Sequence, residues 1–271
     1  MIRSLAVTFL MGLGGNVWAQ TSVEDAIDAA SGHDVVIVGE SHDNPAHHAV
    51  QAKFATALEP AALVFEMLLP EQGQQVMDLR AAGADAAAQA EALRWAESGW
   101  PDYPLYAQIM DAAGAVPVFG AQVPREAARG AFGDGAAAVF GEGAAEYGLT
   151  DALPATEQKL REEMQFAAHC EAMPLEMMGG MVEAQRLRDA ALARAVLSAL
   201  EAGRPVLVIT GNGHADKGRG VPTVLARVAP DVSVYVFGQF ESEPERSAAF
   251  DGWHITPAVE REDPCAAFRK S

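Results

Sequence analysis

Five short runs of the chain are almost purely apolar, rich in β-branched residues and bounded by turn signals: DVVIVGE (34–40), ALVFEML (62–68), AVPVFGA (115–121), PVLVITG (205–211) and VSVYVFG (232–238). A strand with one wet face alternates polar and apolar residues, and these do not. Continuous apolarity is what a strand in a parallel sheet covered on both faces requires. The intervals are rich in Ala, Leu, Gln, Glu and Arg, notably 71–97, 104–113 and 155–202, and read as helices. Strand and helix in alternation predict an α/β fold, an open and mostly parallel sheet of about five strands with helices on both faces. The intervals 70–113 and 124–203 exceed what a crossover needs, and predict an inserted helical cap drawn from about 70–113 and 155–202. The Gly/Ala-rich stretch 128–148 reads as a region with a flexible loop, and the polar tail from Glu241 shows little periodicity.

A chain of 271 residues, 50% hydrophobic, suits one large domain with insertions. Its first residues, MIRSLAVTFLMGLGGNVWAQ, carry one arginine, an apolar stretch and a small-residue triplet before Gln20. They read as a secretory signal cleaved after Ala19, leaving residues 20–271 as the mature domain. Their uninterrupted apolar part is too short for the roughly 20 residues of a membrane span. No cysteine adjoins the cleavage point, so a periplasmic or secreted protein without a lipid anchor is expected. The formal net charge is −18, and nucleic acid and anionic membrane surfaces are therefore poor partners. Export would let the two cysteines, Cys170 and Cys265, pair.

The polar residues fall at strand ends. VVIVGESH finishes with Glu40 and His42, LVFEM with Glu66, and VLVITGNGH with Asn212 and His214. In a parallel sheet the carboxyl ends share one edge, where ligands bind. Glu40 and His42 are two apart and, in extended chain, point to one side. Asn44 and Pro45 read as the cap and first residue of a helix running to about Leu58. On it His47 falls on the stripe turned toward the crevice and supports the site with Asn212, whereas His48 falls off the stripe, toward the surface. Glu40, His42, Glu66 and His214 form a candidate divalent-metal set, with Glu40 or Glu66 as a catalytic base on bound water. The spacing is not that of the compact H-E-x-x-H motif. Taken singly, each of these residues reads better as a helix-capping carboxylate or a hydrogen-bonded loop histidine; taken together at three strand ends, the four read as a site.

Other candidates are more diffuse. His169, Met173, Met177 and Met181 recur at steps of four and could ligate copper or haem iron, although Pro174 and the Gly179-Gly180 pair interrupt a helix and methionine more often fills a core. Tyr103 and Tyr106 could ligate ferric iron or pack the cap. Arg125 and Arg129 could clamp a ligand carboxylate or sit solvated at a helix start. The glycine-rich GNGHADKGRG lacks the features of a nucleotide loop.

The blocks GESHDNPAHHAVQ, LVFEM followed by Gln72, FGAQVPREAARG, MVEAQRLRDAALA and ITGNGHADKGRGVPTVLAR together resemble the ChaN-like haem-binding family of the Tiki, TraB and erythromycin-esterase superfamily, over residues 33–238. The resemblance implies an α/β fold with a helical subdomain in an exported bacterial haem-binding protein associated with iron acquisition. It implies haem as cofactor, with Tyr103, Tyr106, Arg125, His169 and Met177 as candidate haem contacts, and leaves room for a homodimer. In some superfamily relatives a strand-end G-x-x-H, an acid after the second strand and a G-N-x-H block carry metal-dependent hydrolysis. They are matched here by Gly39 with His42, by Glu66 and by Gly211 to His214, so a metal-dependent peptide or ester hydrolase is the rival expectation. Haem ligation in the family involves tyrosine, and the blocks around Tyr103, Tyr106 and Tyr147 do not single one out.

Overall fold

The computed structural model describes residues 20–244, 249–263 and 265–266. The expected export signal, residues 1–19, lies outside the described residues. Six strands form one open sheet: β1 (Val35–Glu40), β2 (Ala62–Phe65), β3 (Val118–Gly120), β4 (Val206–Gly211), β5 (Val234–Phe240) and β6 (Gly252–Ile255), in the order β3-β2-β4-β1-β5-β6. Every pairing is parallel.

The five apolar runs all become strands, and β1 shows why both of its faces had to be apolar. Val36 and Val38 point to one side, into a cluster with Leu63, Phe65, Leu207, Ile209 and Phe237. Val35 and Ile37 point to the other, with Val64, Val206, Val208 and Val236. Successive side chains leave a strand on opposite faces, so both faces of this sheet are dry. The first face is covered by α1 (Val23–Ala30), α2 (Pro45–Leu58) and α5 (Pro104–Ala113), the second by α9 (Met178–Leu200) and α11 (Val221–Val228).

The structure divides two of the expected helices. The stretch 71–97 becomes α3 (Pro70–Ala81), α4 (Ala86–Ala92) and a single turn, Trp95–Glu97. It is interrupted at Gly83, whose φ of +78° ends α3, and restarted by Asp85, which accepts a hydrogen bond from the Ala88 amide. The stretch 155–202 becomes α8 (Ala155–Ala168), a turn at Leu175–Met177 and α9, broken where Cys170 and Glu171 take positive φ. Residues 128–148, expected to include a flexible loop, hold most of α6 (Arg125–Asp134) and all of α7 (Ala136–Phe140) and then run on as turns to residue 148. Alanines at 128, 131 and 136 are buried there, so the small side chains serve close helix packing. In the polar tail, β6 was unforeseen: four residues, two of them buried, added to a sheet edge. A short helix, α10 (Asn212–Ala215), follows β4 directly.

Cys170 and Cys265 form a disulfide. After β6, the chain from Thr256 to Arg261 lies across the loop that follows β1. Arg261 forks between Asp43 and Glu241, and Asn44 donates to Glu241, Thr256 and the Pro257 carbonyl. Among the described residues no helix is long and apolar enough to cross a membrane.

Candidate functional site

In the sheet order β4 lies between β2 and β1, so the end of β4 separates Glu66 from Glu40 and His42. Gly211, opposite Glu40 in the register, supplies the gap. A Cβ there would stand 2.9 Å from His42 Nε2 and 3.7 Å from Glu66 Oε2. Gly211→Ala is therefore expected to leave the fold assembled, because the close atom is the tip of a side chain, and to displace the His42 ring. Histidine NMR checks it; an unmoved His42 resonance would contradict the geometry.

Around this gap the side chains form one continuous series. His42 donates through Nδ1 to Glu40 Oε1 at 2.7 Å, and its Nε2 faces Glu66 Oε2 at 4.0 Å. Glu66 Oε2 accepts from Thr210 Oγ1 at 2.6 Å and from the Gly211 amide at 2.8 Å. Its other oxygen lies 3.6 Å from His214 Nε2. His214 in turn donates through Nδ1 to Asp189 Oδ1 at 2.7 Å. Two imidazoles, each oriented by its own carboxylate, thus present Nε2 to a third carboxylate between them.

Burial opposes ionisation of His214, but the Glu66 and Asp189 carboxylates outweigh it and raise its pKa to about 9. Burial likewise opposes charge on His42, and Glu40 and Glu66 override it, raising that pKa. Desolvation pushes Glu66 up, and the two imidazoles with the Thr210 and Gly211 donors carry it below the usual carboxylate range. Asp189, pushed up by burial, is the member the sequence reading missed. It sits on α9 among arginines and alanines, where an acid looks like solvated surface. Its neighbours Leu187 and Ala190 are buried, and an acid inside an apolar stripe was the available signal.

The two helix histidines exchange the roles expected of them. His48 is fully buried; Nε2 donates to the His42 carbonyl at 2.8 Å, and Nδ1 lies 3.3 Å from Glu40 Oε2 without hydrogen-bond alignment. His47 faces away from the strand ends. Its Nδ1 accepts from the Ser41 amide, its Nε2 donates to Thr256 Oγ1, and burial lowers its pKa to about 4. Asn212 clasps β5 rather than the cleft, donating to the Gln239 carbonyl at 2.6 Å.

Glu40, His42, Glu66 and His214 converge as expected, yet among the described residues no group of three or more His, Cys, Asp or Glu is placed to hold a metal ion. In each imidazole Nδ1 is held by a carboxylate, Glu40 for His42 and Asp189 for His214, and Glu66 Oε2 is taken up by Thr210 Oγ1 and the Gly211 amide.

A cleft of 430 Å³ opens beside this series, lined by His42, Glu66, Trp100, Arg125, Arg188 and His214, among others. Trp100 packs edge-on to the His42 ring at 4.8 Å. Of the candidate haem contacts, only Arg125 lines this cleft. Tyr103 and Tyr106 are core residues, 1% exposed. The Tyr103 hydroxyl donates to Gln89, and burial raises the Tyr106 phenol far above its ordinary range. His169 ends α8 with Nδ1 against the Gln165 carbonyl. Met177 is 43% exposed whereas its neighbour Met178 is in the core, which corrects the expectation that the methionine ladder packs inside.

The family described as haem-binding uptake, Tiki superfamily, ChaN matches residues 26–225. The chain belongs to the ChaN haem-binding uptake family. A solved structure described as cofacial heme binding to ChaN of Campylobacter jejuni is similar to this ChaN-family chain, at 19% identity and a TM-score of 0.62, covering 84% of this chain and 90% of that one. The type III effector HopBA1 matches at 16% identity and a TM-score of 0.44, over 84% of this chain and 83% of that one. No curated protein matches. The fold of the Campylobacter protein is thus shared over most of both ChaN-family chains, with few identical residues left to define the site.

Proposed function

We propose that the chain is an exported haem-binding protein serving haem or iron uptake, with haem received in the strand-end cleft. The family match over residues 26–225 carries this reading. The residues of the cleft fit such a ligand. His42 Nε2 makes no hydrogen bond among the described residues, while Glu40 holds the opposite ring nitrogen and so fixes the tautomer that leaves Nε2 free. Trp100 adds a flat apolar wall, and Arg125 a cation for an acidic substituent. Haem would bring a ferric iron and a broad apolar ring with two carboxylates. This chain's part is to orient the imidazole and exclude water from one ring face. Export is supported by the disulfide, which persists in oxidising compartments, and by the signal-like residues 1–19.

Haemin titrated into the purified protein is expected to give a saturable Soret shift, weakened in His42→Ala. A spectrum no different from haemin adsorbed non-specifically to serum albumin would overturn the reading.

A further inference from the structure

The chain has 37 acidic residues and 19 basic ones, so carboxylate partners for its arginines are not scarce. Around α9, Arg161, Arg186, Arg219 and Arg227 each hold a carboxylate within ion-pair distance. Arg125 and Arg188 do not, among the described residues, and both line the 430 Å³ cleft beside His42 and His214.

Each of the two is anchored by one nitrogen to a neutral acceptor. Arg125 Nη2 donates to the Ser98 carbonyl at 3.0 Å, and Arg188 Nη1 donates to Gln185 Oε1 at 2.7 Å. A guanidinium has five N–H donors in a planar fork, so most of each fork stays available once the side chain is positioned. Space for Arg125 is kept by Gly99, which has φ +84° and whose missing Cβ would lie 2.7 Å from Arg125 Nη2. Two positioned, un-neutralised forks in one cleft of a strongly acidic protein form a recognition surface for anions, because a guanidinium pairs bidentately with carboxylate.

We infer that the cleft selects a ligand bearing two separate carboxylates, one received by Arg125 and the other by Arg188. Arg188 was not singled out in the sequence; it precedes Asp189, so the helix turn that holds His214 also presents the second cation. The inference rests on the haem reading, in which the two carboxylates are the propionates.

The test compares haemin with haemin dimethyl ester, both delivered from the same neutral detergent micelles to wild type, Arg125→Gln, Arg188→Gln and Arg188→Lys. Wild type is expected to bind the diacid at least tenfold more tightly than the ester. Each Gln variant should lose roughly tenfold for the diacid, the size of one charge-assisted hydrogen bond, and little for the ester, with Arg188→Lys recovering part of the loss. Equal binding of diacid and ester by wild type, or equal losses for both ligands in the Gln variants, would overturn the inference and leave haem binding intact. Absence of saturable binding of either ligand would overturn the haem reading and this inference with it.

Discussion

Asp189→Ala is expected to destabilise the protein by roughly 3–5 kcal/mol, the cost of leaving one member of a buried ion pair without its partner. Asp189 and His214 are both buried, and their 2.7 Å contact satisfies His214 Nδ1. Without Asp189 the imidazole keeps only Glu66, at 3.6 Å. The pH dependence gives the substitution a signature. His214 holds its proton to about pH 9 in the fold, against about 6.5 in the unfolded chain. Folding therefore retains a proton that unfolding releases across this window. The stabilisation is complete below about pH 6.5 and is lost as pH rises through about 9. Denaturant unfolding of wild type from pH 6 to pH 10 should show that decline, and Asp189→Ala should flatten it. A variant as stable as wild type at pH 7 would show that the pair contributes nothing to folding.

Removing the disulfide is expected to cost about 2–5 kcal/mol. Cys170 and Cys265 are separated by 95 positions, and closing so long a loop restricts the unfolded chain strongly. The double variant Cys170→Ser, Cys265→Ser should lower the melting temperature by several degrees or more, at about 2–4 °C per kcal/mol for a domain of this size. Reductant should reproduce the shift in wild type and leave the double variant unmoved. If wild type melts at the same temperature with and without reductant, the bridge is not stabilising.

The sheet was legible because burial on two faces leaves a composition that no amphipathic helix shares, and the central strands β1 and β4 needed only trimming at their ends. β6 escaped because a four-residue edge strand half open to solvent needs no apolar run. His47 and His48 were ranked by one helical stripe, but α2 is buried on more than one side: His48 beneath the β1 loop, and His47 beneath the chain around Thr256. A single stripe cannot order two buried faces. The strand-end set of Glu40, His42, Glu66 and His214 was visible because parallel topology forces those ends together. Arg188 and Asp189 were not, since their roles depend on where α9 crosses the strand ends, a tertiary relation that leaves no local periodicity.

The disulfide also divides the molecule mechanically. A pull on the two chain ends reaches Cys265 and passes through sulfur to Cys170, bypassing everything between them. That bypassed segment contains β4, β5, β6 and α9. Half of the sheet's strands, together with Asp189 and His214, adds no contour length under tension while the bond is intact. Stretch is left to the segments outside the bridge, and the one before Cys170 includes β1, β2 and β3 and carries His42 and Glu66.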